Sequence, residues 1–106
     1  MTFISPVSAE DLRRERARAR VLRATTWWKR RLALGRCGYC GQPTPPRALT
    51  MDHRVPLVRG GRSTRGNVVP ACKACNDAKR HLLPIEWETH LARHGKNPWT
   101  GEDDGS

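Results

Sequence analysis

The stretch VVPACKACNDAK (residues 68–79) combines a strand signal, a helix start and two cysteines. Its paired β-branched residues, Val68 and Val69, predict a short strand. Pro70 leads out of that strand, and a helix is expected over about 71–81. Both cysteines of the stretch would then lie in the first turns of this helix. The stretch therefore predicts a strand followed directly by a helix that presents cysteine side chains near its start.

Four cysteines form two C-x-x-C pairs, Cys37-Gly-Tyr-Cys40 and Cys72-Lys-Ala-Cys75. Two thiolates from one turn can hold one edge of a tetrahedron around zinc, and two such pairs complete a closed structural site. The alternative is four buried or redox cysteines, which this paired spacing in a small cytosolic domain disfavours. The 31 residues between the pairs (41–71) exceed the ~15–20 of an ordinary zinc ribbon. We therefore expect a further functional segment between the pairs.

That segment contains LTMDHRVPLVRGG (residues 49–61), in which Asp52 and His53 end a short apolar run. A strand is predicted over 48–52, followed by a loop rich in Gly and Arg. Asp52 and Asn76 offer hard oxygen ligands suited to Mg²⁺ or Mn²⁺, and the near-neutral pKa of His53 suits activation of a water. Adjacent strand residues point to opposite faces, so both can serve one phosphate only where the strand twists or ends. Taken alone, Asp52-His53 could instead be a pair of hydrogen-bonded polar residues in a loop, without a catalytic role.

The N-terminal part predicts one long helix over about 9–34, which begins at Ser8 with Asp11 in the third helical position. Its apolar residues recur at spacings of four, three, four and four, and this stripe is expected to dock on the rest of the domain: Ala17, Val21, Ala24, Trp28 and Leu32. A last helix is expected from Pro84 to a stop at Gly95. The acidic residues 96–106 are expected to be disordered.

The chain of 106 residues has a formal charge of +10, from 20 Lys and Arg against 10 Asp and Glu. This balance favours a polyanionic partner through counterion release, and nucleic acid is the leading class. Half of the basic residues precede Cys37. A solvated helix face is the alternative for such a run, but the excess of one sign favours phosphate contact. The candidate DNA-binding residues are Arg13, Arg16, Arg20, Arg23, Arg30, Arg31, Lys79 and Arg80.

An anionic membrane surface is the competing partner for a basic chain. No apolar stretch approaches the ~20 residues needed to span a bilayer. The N-terminal segment also lacks the apolar region of a secretory signal. We therefore expect a cytoplasmic protein, one compact unit with tails, without a membrane partner. A core this small often needs a metal for reinforcement.

Taken together, these motifs resemble the HNH endonucleases, also called His-Me finger or ββα-metal nucleases. The match runs from Cys37 to about Trp87, and it is carried by Asp52-His53, Pro56, Gly60-Gly61, Asn67, Val68-Val69 and Cys72-x-x-Cys75-Asn76-x-x-Lys79. The resemblance implies that His53 is the general base and that Asp52 and Asn76 hold a single catalytic divalent ion. It also implies that Asn67 is structural and holds the loop that carries His53 in place.

Many members of this family have His where this chain has Asn76, and the amide favours Mg²⁺ or Mn²⁺ over softer metals. The predicted fold is α+β, a small ββα-metal domain held by a four-cysteine zinc site. Its predicted parts are a basic N-terminal helix (1–36), a nuclease core (37–95) and a flexible acidic tail (96–106). The expected function is metal-dependent DNA cleavage. The alternative is a non-catalytic, zinc-held DNA-binding module of a larger phage or mobile-element machine; phage packaging or bacterial defence proteins are the partners the family suggests.

Overall fold

The computed structural model describes residues 7–94 and has an α+β fold. Its helices are α1 (Ala9–Arg23), α2 (Thr26–Ala33), α3 (Lys73–Lys79) and α4 (Pro84–His94), and its antiparallel strands are β1 (Thr50–His53) and β2 (Val68–Ala71). The order β1, β2, α3 confirms the predicted strand, strand and helix arrangement. The expected helix stop at Gly95 and the acidic tail lie outside the described residues. Within the described residues, no helix is long and apolar enough to cross a membrane.

The N-terminal segment forms two helices, whereas the sequence predicted one. α1 begins as expected, because the Ser8 Oγ accepts a hydrogen bond from the Asp11 backbone N–H at 3.0 Å. The helix then ends before Ala24 and Thr25. The Thr25 Oγ1 accepts from the backbone N–H of Trp28 at 3.2 Å, so this residue is the N-cap of α2. The sequence did not predict this internal N-cap, because the apolar spacing continues across Thr25 as in a single helix.

The predicted apolar stripe is not the surface by which α1 packs. Its members on α1 and in the junction to α2 are exposed: Ala17, Val21 and Ala24. The buried residues of α1 are instead Glu15 and Ala19. In α2, Trp28 is buried and Leu32 packs against the core. The stripe prediction is therefore wrong for α1 and correct for α2, because the break between the helices interrupts the continuous face that the spacing assumed.

The two strands place the Asp52-His53 pair at the end of a sheet. Asp52 pairs with Val69, and His53 pairs with Val68 as the last residue of β1. All four residues of β2 are buried, whereas in β1 only Asp52 is. The chain therefore leaves the sheet directly after His53, as strand geometry requires if adjacent side chains are to serve one site.

The observed elements are shifted by one to two residues from their predicted bounds. β1 begins at Thr50 rather than residue 48, because Pro46–Ala48 form a 3-10 turn. α3 is shorter than the predicted 71–81. It starts after Cys72, whose sulfur accepts from the Cys75 backbone N–H, and it stops at Arg80, which has a positive φ of 48°.

Two glycines allow loops to pack closely on this sheet. A Cβ on Gly38 would lie 2.3 Å from Val69 Cγ1, and the Gly38 backbone N–H donates to the Pro70 carbonyl at 2.7 Å. A Cβ on Gly61 would lie 1.7 Å from the Val55 carbonyl oxygen. Any larger residue at these positions would displace backbone or a buried side chain. The first cysteine turn is thereby held against β2, and the loop after His53 folds back on itself.

The main buried cluster forms around the cysteines. Cys37, Leu49, Cys75 and Trp87 are each less than one-tenth exposed and belong to one cluster. The Tyr39 ring meets the Trp87 ring edge to face, with centroids 5.6 Å apart. α4 thus closes over the cysteine turns. Such a small apolar cluster is consistent with a fold that a metal reinforces.

Candidate active site

The four cysteines converge on one point, as their spacing predicted. The sulfurs of Cys37, Cys40, Cys72 and Cys75 all lie within 4.8 Å of one another. Those of Cys40 and Cys72 are 3.9 Å apart. Four ligands at ~2.3 Å from a tetrahedral zinc would have sulfurs about 3.8 Å apart, so the cluster fits this metal. The four sulfurs are thus close enough to one another to hold one zinc ion.

Hydrogen bonds prepare the Cys37 sulfur for a cation. The Cys75 side chain has the largest effect, and backbone N–H groups of Cys40, Cys72 and Tyr39 add to it; together they lower the pKa of the Cys37 thiol to about 4. The thiolate is the form that binds metals. The Cys37 thiolate is therefore stabilised at the point where the two cysteine pairs meet.

A second candidate site is an open cleft of about 460 Å³ at the end of β1, which we call the Asp52 cleft. Asp52, His53 and Asn76 all line it. The adjacent residues of β1 reach the same cleft because the strand ends at His53. Asn76 lies in α3 and is half-buried, and within the described part of the chain its amide side chain has no hydrogen-bond partner. The structure therefore brings together the three residues that the resemblance placed in one site.

Asp52 is fixed by two side chains that approach the same carboxylate oxygen. The Tyr39 hydroxyl donates to Oδ2 at 2.6 Å, and the Lys79 Nζ lies 3.2 Å from it. Burial is the main cause that raises the pKa of Tyr39, so its phenol remains a donor. Among residues 7–94, no group is hydrogen-bonded to the other oxygen, Oδ1. That oxygen is free to bind a cation in the Asp52 cleft.

Lys79 lies inside the protein, which differs from the predicted contact with a phosphate. It is 1% exposed. Its ammonium donates to the His53 carbonyl at 2.9 Å and pairs with Asp52. The buried carboxylate and the carbonyl at the strand end draw the charge inward, because both need a partner away from water. Lys79 therefore ties α3 to β1 and is not available to DNA in this structure.

His53 has one ring nitrogen bound and one without a protein partner. Its Nε2 lies 3.0 Å from the Ser63 Oγ. In the described part of the chain no hydrogen bond involves Nδ1. Burial disfavours the charged ring and is the main cause that lowers the pKa of His53; nearby Asp52 opposes this, and Arg23 supports it. The ring is therefore neutral at pH 7, the state that can accept a proton.

Asn67 clamps the loop that follows His53. Its Oδ1 accepts from the Val55 backbone N–H at 2.9 Å, and its Nδ2 donates to the Val55 and Arg62 carbonyls at 3.1 and 2.8 Å. The Asn67 carbonyl also accepts from the Arg54 N–H at 2.8 Å. These four bonds fix the chain on both sides of the loop, at the place where the resemblance put a structural residue.

The eight predicted DNA-binding residues differ in how far their side chains are exposed to solvent. Four are exposed along α1: Arg13, Arg16, Arg20 and Arg23. On α2, Arg30 is exposed, but Arg31 is half-buried with its guanidinium 5.1 Å from the centre of the Trp27 ring. Arg80 is exposed and lines the Asp52 cleft. The structure thus leaves six of these eight basic side chains freely accessible, Arg31 in part and Lys79 not at all.

Sequence reasoning did not find three residues that support the site: Tyr39, Ser63 and Glu15. Tyr39 lies between the first two cysteines, and Asp52 is 13 residues away in the chain. Ser63 lies in a polar loop, and its partner Glu15 is 48 residues away in the basic helix. The only signal in the sequence for Glu15 was an acid between arginines, and this pattern is equally typical of a solvated helix.

Comparison with known proteins agrees with this geometry. The HNH endonuclease family matches residues 37–82, which hold all four cysteines and the Asp52 cleft. A CRISPR-associated endonuclease Cas9 from Corynebacterium diphtheriae is 42% identical over 60 residues, or 56% of this chain. This chain spans only 6% of that relative. Residues 37–82 of this protein therefore match the HNH endonuclease family.

Proposed function

We propose that this protein is a divalent-metal-dependent DNA endonuclease with His53 as its general base. The single observation that carries the proposal is that Asp52, a neutral His53 and Asn76 line one open cleft. A carboxylate and an amide oxygen can hold a hard divalent cation, and an imidazole with a free nitrogen can accept a proton from water. The HNH endonuclease match over the same residues supports this reaction class.

In the proposed reaction, neutral His53 accepts a proton from a water molecule, and the water oxygen attacks phosphorus in line with the leaving group. A new P–O bond forms, and the bond from phosphorus to the 3′ oxygen breaks. The departing oxygen takes a proton from solvent. The products carry 5′-phosphate and 3′-hydroxyl ends. The lowered pKa of His53 suits this role because the ring is unprotonated before the reaction begins.

Asp52 and Asn76 would hold the catalytic ion, proposed to be Mg²⁺ or Mn²⁺. The donors fit these cations because both are hard oxygen ligands, and the open cleft leaves room for water ligands. When bound, the ion supplies positive charge that stabilises the phosphate and the departing 3′ oxygen. Tyr39 and Lys79 orient the Asp52 carboxylate through its Oδ2 oxygen.

The four-cysteine cluster is proposed to hold a structural zinc, since a closed set of four thiolates leaves no position for substrate. DNA is proposed to bind through the exposed arginines of α1, together with Arg30 and Arg80. Arg80 lines the Asp52 cleft, and we propose that it contacts the DNA backbone next to the cleaved bond. Phosphate contacts of this kind fix position and carry no sequence information.

The test is cleavage of supercoiled plasmid by protein that retains zinc but is stripped of other metals, with Mg²⁺ or Mn²⁺ added back. His53→Ala should slow cleavage by about 10²–10⁴, the range for loss of a general base, and should leave DNA binding intact. His81→Ala is the matched comparison because His81 is a second histidine at the same cleft, and it should lose less than about tenfold. If the wild type binds plasmid without cutting it at any metal concentration, the binding-module alternative holds instead.

A further inference from the structure

A continuous chain of hydrogen bonds links the N-terminal helix to His53. Ser63 lies at its centre, and its Oγ is 3.0 Å from the His53 Nε2. The Ser63 hydroxyl donates to the backbone carbonyl of Glu15 at 2.6 Å. The Ser63 backbone N–H donates to the Glu15 Oε1 at 2.7 Å. One residue of α1 thus holds Ser63 at two points, and Ser63 touches the ring of His53.

The direction of these bonds fixes the tautomer of His53. A serine hydroxyl has one hydrogen to donate and lone pairs to accept with. Because that hydrogen goes to the Glu15 carbonyl, which can only accept, the Ser63 oxygen must accept from the ring. The hydrogen of the neutral imidazole therefore lies on Nε2. The lone pair lies on Nδ1, the nitrogen that has no hydrogen-bond partner in the described part of the chain.

Glu15 is a buried carboxylate whose hydrogen bonds hold Ser63 in place. It is 8% exposed in a helix whose other acids and arginines are exposed, and burial of a carboxylate is costly unless it is paired. Arg18 donates to its second oxygen at 2.7 Å. The bond from the Ser63 N–H is the main cause that lowers the pKa of Glu15, so the carboxylate stays ionised. These bonds account for the one buried acid in the basic helix.

We infer that Ser63, held by Glu15, is a positioning residue that fixes the tautomer and orientation of His53. This inference rests on the proposed function, in which His53 is the base. It makes α1 part of the nuclease site as well as a candidate DNA-binding surface. The base nitrogen is then Nδ1, which receives the proton from water while Nε2 remains bonded to Ser63.

The direct test is a nitrogen-15 NMR spectrum of the imidazole rings in the full chain with zinc bound, at alkaline pH where the rings are neutral. His53→Ala identifies the His53 signals. The wild type should show the hydrogen on Nε2. A wild-type ring with its hydrogen on Nδ1 would overturn the inference, and this measurement needs neither a Ser63 variant nor any activity.

Variants extend the test to function. Ser63→Ala removes the acceptor but keeps the backbone N–H that binds Glu15, so zinc content and melting temperature should stay close to wild type. The His53 tautomer should become mixed, and kcat should fall by about 10–100-fold with little change in KM, as for other residues that orient a site. Glu15→Ala should act in the same direction, and Glu15→Gln should retain more of the rate, because its amide oxygen still accepts from Ser63. Glu10→Ala is the matched control, an exposed acid of the same helix, and should change neither readout.

The outcomes separate this inference from the proposed function. If His53→Ala cuts at the wild-type rate, the proposed function fails, while the tautomer measurement still decides the role of Ser63. If His53→Ala is inactive but Ser63→Ala has the wild-type tautomer and kcat, the positioning role is wrong and the proposed function stands.

Discussion

The Nζ of Lys79 lies 3.2 Å from the Oδ2 of Asp52, and the two side chains are only 1% and 8% exposed. The ammonium also donates to the His53 carbonyl at 2.9 Å. Lys79 is thus the connection between α3, which carries Asn76, and the end of β1. This buried pair therefore joins the two elements that carry Asp52 and Asn76.

Loss of Lys79 should destabilise the protein strongly. Lys79→Met keeps most of the side-chain volume but leaves the Asp52 carboxylate buried without its ion-pair partner. Removal of one member of such a pair costs about 3–5 kcal/mol. The free energy of unfolding, measured by urea titration of the zinc-bound protein without added Mg²⁺, should fall by that amount.

Lys73→Met is the control for Lys79. Lys73 belongs to the same helix and pairs with Asp77 at 2.8 Å, but it is 87% exposed. Exposed pairs of this spacing contribute up to about 0.5 kcal/mol. Equal losses of stability in the two variants would contradict the interior role of Lys79.

The cysteine cluster should bind one zinc per chain and hold the fold together. Cys72→Ser removes one of the four ligands, and metal-binding free energy is folding free energy in a domain with so small a core. The variant should bind zinc weakly and melt far below the wild type, and a chelator should have the same effect on the wild type. Elemental analysis of folded wild-type protein checks this; a folded protein without zinc would refute it.

The exposed arginines of α1 should contribute to DNA affinity by neutralising phosphates. Replacement of Arg13, Arg16, Arg20 and Arg23 by Gln should weaken binding. The slope of log affinity against log salt should become shallower by about one for each phosphate that is no longer neutralised. The rate of hydrolysis within bound complexes should fall far less than in His53→Ala, because none of the four lines the Asp52 cleft. Binding titrations over a range of salt concentrations measure this.

A second quadruple variant controls for net charge. It replaces four exposed basic residues elsewhere in the described chain by Gln: Arg36, Arg47, Lys73 and Arg93. Both variants remove four positive charges. If the control reduces the salt slope as much as the α1 variant does, the α1 face has no specific role and only the overall charge matters.

Asp52 and Asn76 should share a metal-binding role that differs from the role of Asn67. Asp52→Asn, which preserves an acceptor for Tyr39 and Lys79, and Asn76→Ala should both raise the Mn²⁺ concentration needed for cleavage, so that activity partly returns at high Mn²⁺. Asn67→Ala should instead lower the rate at every concentration, because it loosens the loop after His53. Titrations of cleavage rate against metal distinguish the two patterns.

Asp77→Ala is the matched control for the metal titrations. Asp77 follows Asn76 in α3 but is exposed and paired with Lys73. Its loss should not change the metal dependence. An unchanged metal dependence in Asp52→Asn and Asn76→Ala as well would mean that these residues do not hold the ion.

The sequence by itself determined the elements whose signals are local. The C-x-x-C spacing places two sulfurs in one turn, so each half of the cysteine cluster followed from residues only three apart. Val68 and Val69 predicted β2, and Pro84 predicted the start of α4, because β-branching and a fixed φ act on the backbone at their own positions. The break at Thr25 is also local, but a competing apolar spacing over the same residues concealed it.

Only the tertiary structure decided which polar side chains are buried and which groups they contact. Lys79 meets the carbonyl of a residue 26 positions away, and Ser63 meets a helix 48 positions away. An isolated lysine or serine has the same local preferences whether it will face solvent or a buried carboxylate. What selects its partner is the cost of a buried polar group without a hydrogen bond, and that cost exists only once packing has excluded water from both groups.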